Sequence, residues 1–387
     1  KLNLTSIYTY LEKRFGTYSY KTGASFFLLS KTIGAAARLY VVAIILQTFV
    51  FNEWGIPFET GVFVLIFLVW LYTFRSGVKT IVWTDALQTL FLLIALTLII
   101  IGVYKYLQLP FKEIVSQISH NNWTRTFVFD DWISRQNFFK QFFSGVFITI
   151  VMTGLDQDMM QKNLSCKTIG EAKKNMYTYG FMFIPINLLF LSLGALLLLL
   201  AQTQQIELPD KADKLLPFFA NGFLGIGVSI FFFVGIIAAA FSSVDSALTS
   251  LTTSFSVDIL NVKHENPAKA KKERMLVHIA ISLIFAFIIM LIHWIGNTDS
   301  IIDTIYSVAS YTYGPLLGMY AFGLFTRRKV RDKAMPFVAI ASPLLCFGLN
   351  QTAMTFFNYT FGYELLIING MITFAAMWVL SKNNEYA

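Results

Sequence analysis

The sequence predicts an all-α, polytopic membrane protein, and three observations carry that reading. Hydrophobic residues make up 56% of the 387-residue chain and charged residues only 13%, about half the ~25% of a soluble domain. Mean hydropathy is +0.61. Apolar runs recur at the length a bilayer demands, about 20 residues for a hydrocarbon core of ~30 Å. The loops between those runs are alternately basic and not, as the positive-inside rule requires. This composition excludes a secreted disulfide scaffold, a disordered tail and a nucleic-acid binder, although the net charge is +8. Cys166 and Cys346 are too few and too far apart for a disulfide framework or a thiolate metal site. The four histidines (His120, His264, His278 and His293) lack metal-binding spacing.

In chain order the predicted spans cover 24–50, 58–74, 80–106, 140–160, 177–201, 218–259, 277–295, 301–325, 335–353 and 364–381. The first carries Lys31 and Arg38, and Arg38, well inside the predicted hydrocarbon region, must pair or face water. The third opens on VWTDALQ, with Asp85 a few residues in. The sixth is too long for one straight span; its apolar part, Phe223 to Phe241, runs into a hydroxyl-rich continuation from Ser242 to Ser256. The eighth carries Asp303, Tyr306, Ser307, Ser310, Tyr311, Thr312 and Tyr313 before Gly314-Pro315, which suits a hydrated cavity wall followed by a break or hinge. Basic clusters sit before the first span (Lys13, Arg14, Lys21) and after the second (Arg75, Lys79) and fourth (Lys162, Lys167, Lys173, Lys174). Others follow the sixth (from Lys263 to Arg274) and the eighth (from Arg327 to Lys333), so both ends of the chain are expected inside. The 107–139 loop is then external, and Trp123 and Trp132 suggest a short interfacial helix there. The opening TSIYTYLEKRFG reads as an internal amphipathic connection rather than a signal peptide.

Polar groups inside spans are functional candidates by default. Asp85 has Thr84 and Gln88 as further oxygens at helical spacing, although it could simply touch the interface. On the sixth span, in AAAFSSVDSALTS, Ser242, Asp245, Ser246 and Thr249 share a helix face and Ser243 lies beside them. Hydroxyls around a carboxylate suit a hard cation such as Na⁺. Close helix packing explains Ala238 to Ala240 and Ala247 but does not need Asp245. Arg38 has two readings, a clamp for a substrate carboxylate or a structural partner of an acid such as Asp303, and the second is the simpler. Asp156 and Asp158, in GLDQDMMQK, have a gate reading and the more economical one of an ordinary solvated helix end.

TSIYTYLEKRFG, VWTDALQ, GLDQDMMQK and AAAFSSVDSALTS, in this order over nearly the whole chain, resemble the sodium:solute symporter family. The resemblance implies a five-plus-five inverted repeat with its site near the bilayer midplane between broken helices. The chain would be a single transmembrane transporter domain, 1–387. Its first three spans would be core helices three to five and its next five core helices six to ten, with two peripheral helices after them. Core helices one and two would be missing from this chain. By the same resemblance, one sodium ion would be held by the carbonyl of Ala239 and the hydroxyls of Ser242 and Ser243, completed from the missing first core helix. A second sodium site would use Asp85, Ser242 and Ser246, with Asp245 standing where members with that site have a serine. Thr149, Met152, Arg38 and Tyr306 would line the substrate pocket. Thr149, Phe183, Met152 and Tyr306 fall where sugar carriers of the family have asparagine, lysine, tyrosine and glutamine, so a hexose is disfavoured.

The expectation is a sodium-coupled secondary symporter that imports a small organic solute by alternating access, with Na⁺ as coupling ion, no organic cofactor and no enzymatic activity. It would be a multi-pass protein of the plasma or inner membrane with a cytoplasmic C-terminus; its partners would be the solute and the lipid bilayer. The solute, the sodium stoichiometry and the oligomeric state are open at this stage. The competing readings are a solute sensor on a transporter fold and an intramembrane aspartyl enzyme on Asp85 and Asp245.

Overall fold

In the computed structural model the helices that open at Phe138, Gln157, Ile169 and Ile301 begin where a side chain accepts from orphan backbone N–H groups. Residues 6–73, 78–121, 125, 127–209, 211–261, 267–296 and 300–382 are described. Arg75, Trp123 and Lys263 lie outside the described residues, as do the side chains of Lys79 and Thr84. After α1 (Thr9–Arg14), helix α2 (Thr17–Leu46) starts at Gly16, whose φ of +140° favours glycine. The Asp332 carboxylate fills that helix start, accepting from Tyr18 N at 2.9 Å, Ser19 N at 2.7 Å and Ser19 Oγ at 2.6 Å. Asn137 caps α6 (Phe138–Thr149), and Thr168 with Glu171 forms a reciprocal capping box on α8 (Ile169–Gln204).

Between these lie α3 (Phe58–Thr73), α4 (Val78–Leu107), α5 (Phe111–Ser119) and α7 (Gln157–Leu164). Then follow α9 (Leu215–Gly222), α10 (Ile226–Ser254), α11 (Pro267–Ile295), α12 (Ile301–Phe325), α13 (Met335–Phe357) and α14 (Leu365–Leu380). Two-residue strands β1 (Lys329–Val330) and β2 (Ser381–Lys382) pair antiparallel and tie the α12–α13 loop to the end of α14. Helix α10 is central, packed on α2, α3, α4, α7 and α11. One core gathers α2, α10 and α12 around Phe27, Leu39, Val244, Leu248 and Phe322; a second joins α4, α8 and α9 around Ile99, Leu197, Leu200 and Phe219. Outward apolar residues such as Tyr177, Phe181 and Leu191 on α8 are 69–71% exposed, as a lipid-facing surface requires.

Helices stand at all ten expected places, including the first with its two charges. Among the described residues, six are long and apolar enough to span by themselves, or seven if a bent pair is one span. That bent pair is the fourth span: α6, extended by a π-helical turn at Ile150–Gly154, meets α7 at 63°. The sixth is also interrupted, because α9 ends before Gly225, at φ +84°, turns the chain into α10. The 107–139 loop does hold a short helix, but it is α5, while Trp132 stacks on Phe139 outside any helix.

Gly314-Pro315 does not break its helix. Proline removes the N–H that would bond the carbonyl four residues back, here that of Tyr311. The Asn369 amide on α14 replaces it, donating to Tyr311 O at 2.8 Å and Ser310 O at 3.0 Å, while Ser342 on α13 donates to Asn369 Oδ1 at 2.5 Å. A side chain at Gly314 would collide with Asn369, and one at Gly318 with Thr373. The glycines are there to let α14 approach, and α12 runs unbroken from Ile301 to Phe325.

Candidate functional site

Below Phe241, α10 turns from apolar to hydroxyl-bearing, and its polar face meets α4 and α7. Ser242 Oγ donates to Asp85 Oδ1 at 2.6 Å, and Lys162 Nζ on α7 donates to Asp85 Oδ2 at 3.1 Å. One turn further, Ser246 Oγ donates to Asp158 Oδ1 at 2.6 Å, and Lys31 Nζ on α2 lies 2.8 Å from Asp158 Oδ2. The same ammonium is 3.1 Å from Asp156 Oδ2. A hydroxyl that has given its proton to a carboxylate keeps its lone pairs. Both serine oxygens are thus fixed as acceptors.

Asp245 stands between the two serines, fully buried, with no donor to either carboxylate oxygen among the described residues. Gln88 Oε1 on α4 and Gln161 Oε1 on α7 are buried acceptors without a donor as well. Three helices that meet here therefore each carry unsatisfied oxygen. A buried carboxylate without a partner is costly, and a hard cation is satisfied by oxygen ligands. The chemistry of these groups fits a sodium ion. No cluster of three or more His, Cys, Asp or Glu side chains suited to a metal ion occurs among the described residues.

Asp85, Ser242, Asp245 and Ser246 are thus drawn to one place. Ala239 and Ser243, four residues apart on α10, are half-buried beside them. Thr149 is exposed on α6, its hydroxyl turned back to Gly145 O at 2.8 Å, and Met152 packs in the π-helical turn against the main core. Arg38 and Asp303 are not partners. Asp303 accepts a hydrogen bond from Tyr363, whose ring stands edge-on to Tyr306 at 5.2 Å. Arg38 Nε donates to Gly34 O at 3.1 Å, and its guanidinium, exposed in the middle of α2, has no carboxylate among the described residues. It borders α12 near Ile305, beside Tyr306.

Asp156 and Asp158 are not a solvated helix end: they are 2% and 8% exposed and share Lys31. Asp156 also caps α7, accepting from Asp158 N at 2.9 Å. Sequence reasoning missed Lys31 and Lys162 as partners of these acids, and it missed Asp258. That carboxylate, fully buried in the π-helical turn Phe255–Ile259 that follows α10, accepts from Ser6 at 3.1 Å, Tyr20 at 2.7 Å and Ser254 at 2.6 Å. A lysine inside a span signals a buried partner, but not which one.

The model of the family described as "Sodium:solute symporter family" matches residues 1–339. The chain is 26% identical to the sodium/sialic acid symporter NanT of Aliivibrio fischeri, over 100% of this chain and 76% of that protein. It is 25% identical to the sodium/sialic acid symporter SiaT of Proteus mirabilis, over 96% and 76%. Its fold matches the solved substrate-bound, outward-open state of a Na⁺-coupled sialic acid symporter with a TM-score of 0.83, at 22% identity over 99% of this chain and 79% of the other. The family consists of transporters that use Na⁺ as the coupling ion and no organic cofactor, which disposes of the aspartyl-enzyme reading. With the match covering most of its length, this multi-pass chain belongs to the sodium:solute symporter family.

Proposed function

We propose that this chain imports a small carboxylate-bearing solute together with sodium, by alternating access across the plasma or inner membrane. The observation that carries the carboxylate is Arg38: a guanidinium without a carboxylate partner among the described residues, at mid-helix in a membrane span. A charge there is expensive unless it faces water or a ligand, and guanidinium suits a carboxylate bidentately. The relatives named for sialic acid point to the same class of solute. Arg38 anchors the solute, with Met152 and Tyr306 flanking it and Thr149 at the outer edge. Sodium takes the Ala239 carbonyl and the Ser242 and Ser243 hydroxyls, and a second cation takes Asp85, Ser242, Asp245 and Ser246. The whole chain acts as one transporter domain: α2–α4 serve as core helices three to five, the helices from α6 to α12 as core helices six to ten, and α13 and α14 as peripheral ones. The end bearing the basic loops, and with it the C-terminus, faces the cytoplasm.

A ligand shifts a conformational equilibrium only by its differential affinity for the two states. Coupling therefore requires sodium and solute each to favour the state the other binds. The test is thermal stability of the purified protein against a panel of carboxylates, amino acids and sugars, in sodium and in choline. At about 100 times its dissociation constant a ligand adds roughly 2.7 kcal/mol. A carboxylate that stabilises only in sodium, and no longer stabilises an Arg38→Gln variant, supports the reading; stabilisation by a neutral sugar alone overturns it. Ser243→Ala is expected to raise the sodium concentration needed for half-maximal uptake.

A further inference from the structure

The bend between α6 and α7 is closed by a single ammonium ion. Lys31 lies about 21 Å along α2 from Thr17, at 1.5 Å per residue, well inside the membrane. Its Nζ is held between Asp156 Oδ2 at 3.1 Å and Asp158 Oδ2 at 2.8 Å, the two acids at the start of α7. Helix α12 adds a second clasp, since Tyr313 OH donates to Asp156 Oδ2 at 3.1 Å. Next to both residues, Thr312 Oγ1 donates to Ser30 Oγ at 2.8 Å and joins α12 to α2. The start of α7 is therefore fastened to α2 and α12 by groups that are all nearly buried. Below them, Tyr8 OH donates to Leu155 O at 2.9 Å and Ile7 N to Gln157 Oε1 at 3.0 Å, so the segment before α1 seals the same joint from the basic-loop side.

A buried ion pair is held together by the absence of water, and separating its partners becomes much easier once water enters. Here the contact is dry and paired. Asp158 belongs to both this contact and the cation site, because its other oxygen takes the Ser246 proton at 2.6 Å and leaves the serine lone pairs free. Asp158 can orient Ser246 only while it stands where Lys31 holds it.

We propose that Lys31 is the latch of the broken span, and that the closed latch and a sodium ion on Ser246 stabilise one another through Asp158. Lys31 and Asp158 are positioning residues: neither touches sodium. The proposal rests on the sodium reading above for Ser246, and the experiment separates the two.

A cysteine reporter, Leu155→Cys, is placed at the joint in a background of Cys166→Ser and Cys346→Ala, and its rate of reaction with a charged maleimide is measured in sodium and in choline. Sodium slows the reaction in the background protein, by about tenfold for a typical coupling energy. In Lys31→Gln the protection is lost and the rate in sodium rises to the rate in choline, while Lys31→Arg keeps most of it. Asp158→Asn, which preserves shape and removes the charge, gives the same loss and decides the matter if Lys31→Gln does not fold. Full protection by sodium in Lys31→Gln or in Asp158→Asn overturns the latch and leaves the sodium site standing. A background protein whose reporter ignores sodium overturns the latch, and the sodium site then stands or falls on the thermal stability of the parent in sodium against choline.

Discussion

Ser242–Asp85–Lys162 and Ser246–Asp158–Lys31 are two copies of one chemical motif, a turn apart on α10, and they differ in burial. The Asp85 and Lys162 side chains are 21% and 30% exposed, whereas those of Lys31, Asp156 and Asp158 are 9%, 3% and 11% exposed. Water shares the first pair, so the contribution of the pair is small and falls with salt. The second cluster holds its charges away from water, where losing one partner leaves another charge stranded. The same three residue types thus make an adjustable contact at one level and a committed one at the next.

The largest test of this contrast is Lys31→Ala, which strands two buried carboxylates and is expected to cost about 3–5 kcal/mol of stability, read by thermal unfolding in detergent. Ser246→Ala removes one donor from the buried Asp158 and is expected to cost about 1–3 kcal/mol; Ser242→Ala costs less in the same assay because Asp85 retains solvent. Asp245→Asn has the opposite sign. Without sodium it relieves a buried, unpartnered charge and raises stability in choline by about 1–2 kcal/mol, while the extra stability that sodium confers on the parent is lost. Lys162→Met is the smallest, at most about 1 kcal/mol, and the difference from the parent protein shrinks as salt is raised. A Lys162→Met cost equal to that of Lys31→Ala would erase the distinction between the two levels.

Most spans were legible because bilayer thickness imposes a length and a composition on a helix that crosses it, whatever its partners. The hydroxyl-rich face of α10 was legible for a similar local reason: Ser242, Asp245 and Ser246 fall together by helical spacing alone. Pairings across helices were not, because spacing along one helix says nothing about register against another. Arg38 and Asp303 looked complementary as two charges within spans, yet Tyr363 occupies Asp303. Asp156 and Asp158 read as polar helix-end residues, and only packing against α2 shows that they are interior. Gly314-Pro315 carries the composition of a hinge; its repair by Asn369, more than fifty residues later, has no local signature.

That repair bears on how the protein is made. Helix α12 is not among the six described helices whose length and composition alone suit a span, and most of its inner length is buried against neighbours instead. It leaves the ribosome before α14 exists, with the Tyr311 carbonyl unsatisfied and the Gly314 and Gly318 face uncovered. Its settled place in the bilayer therefore waits on α14, and a helix made later completes a segment laid down before it.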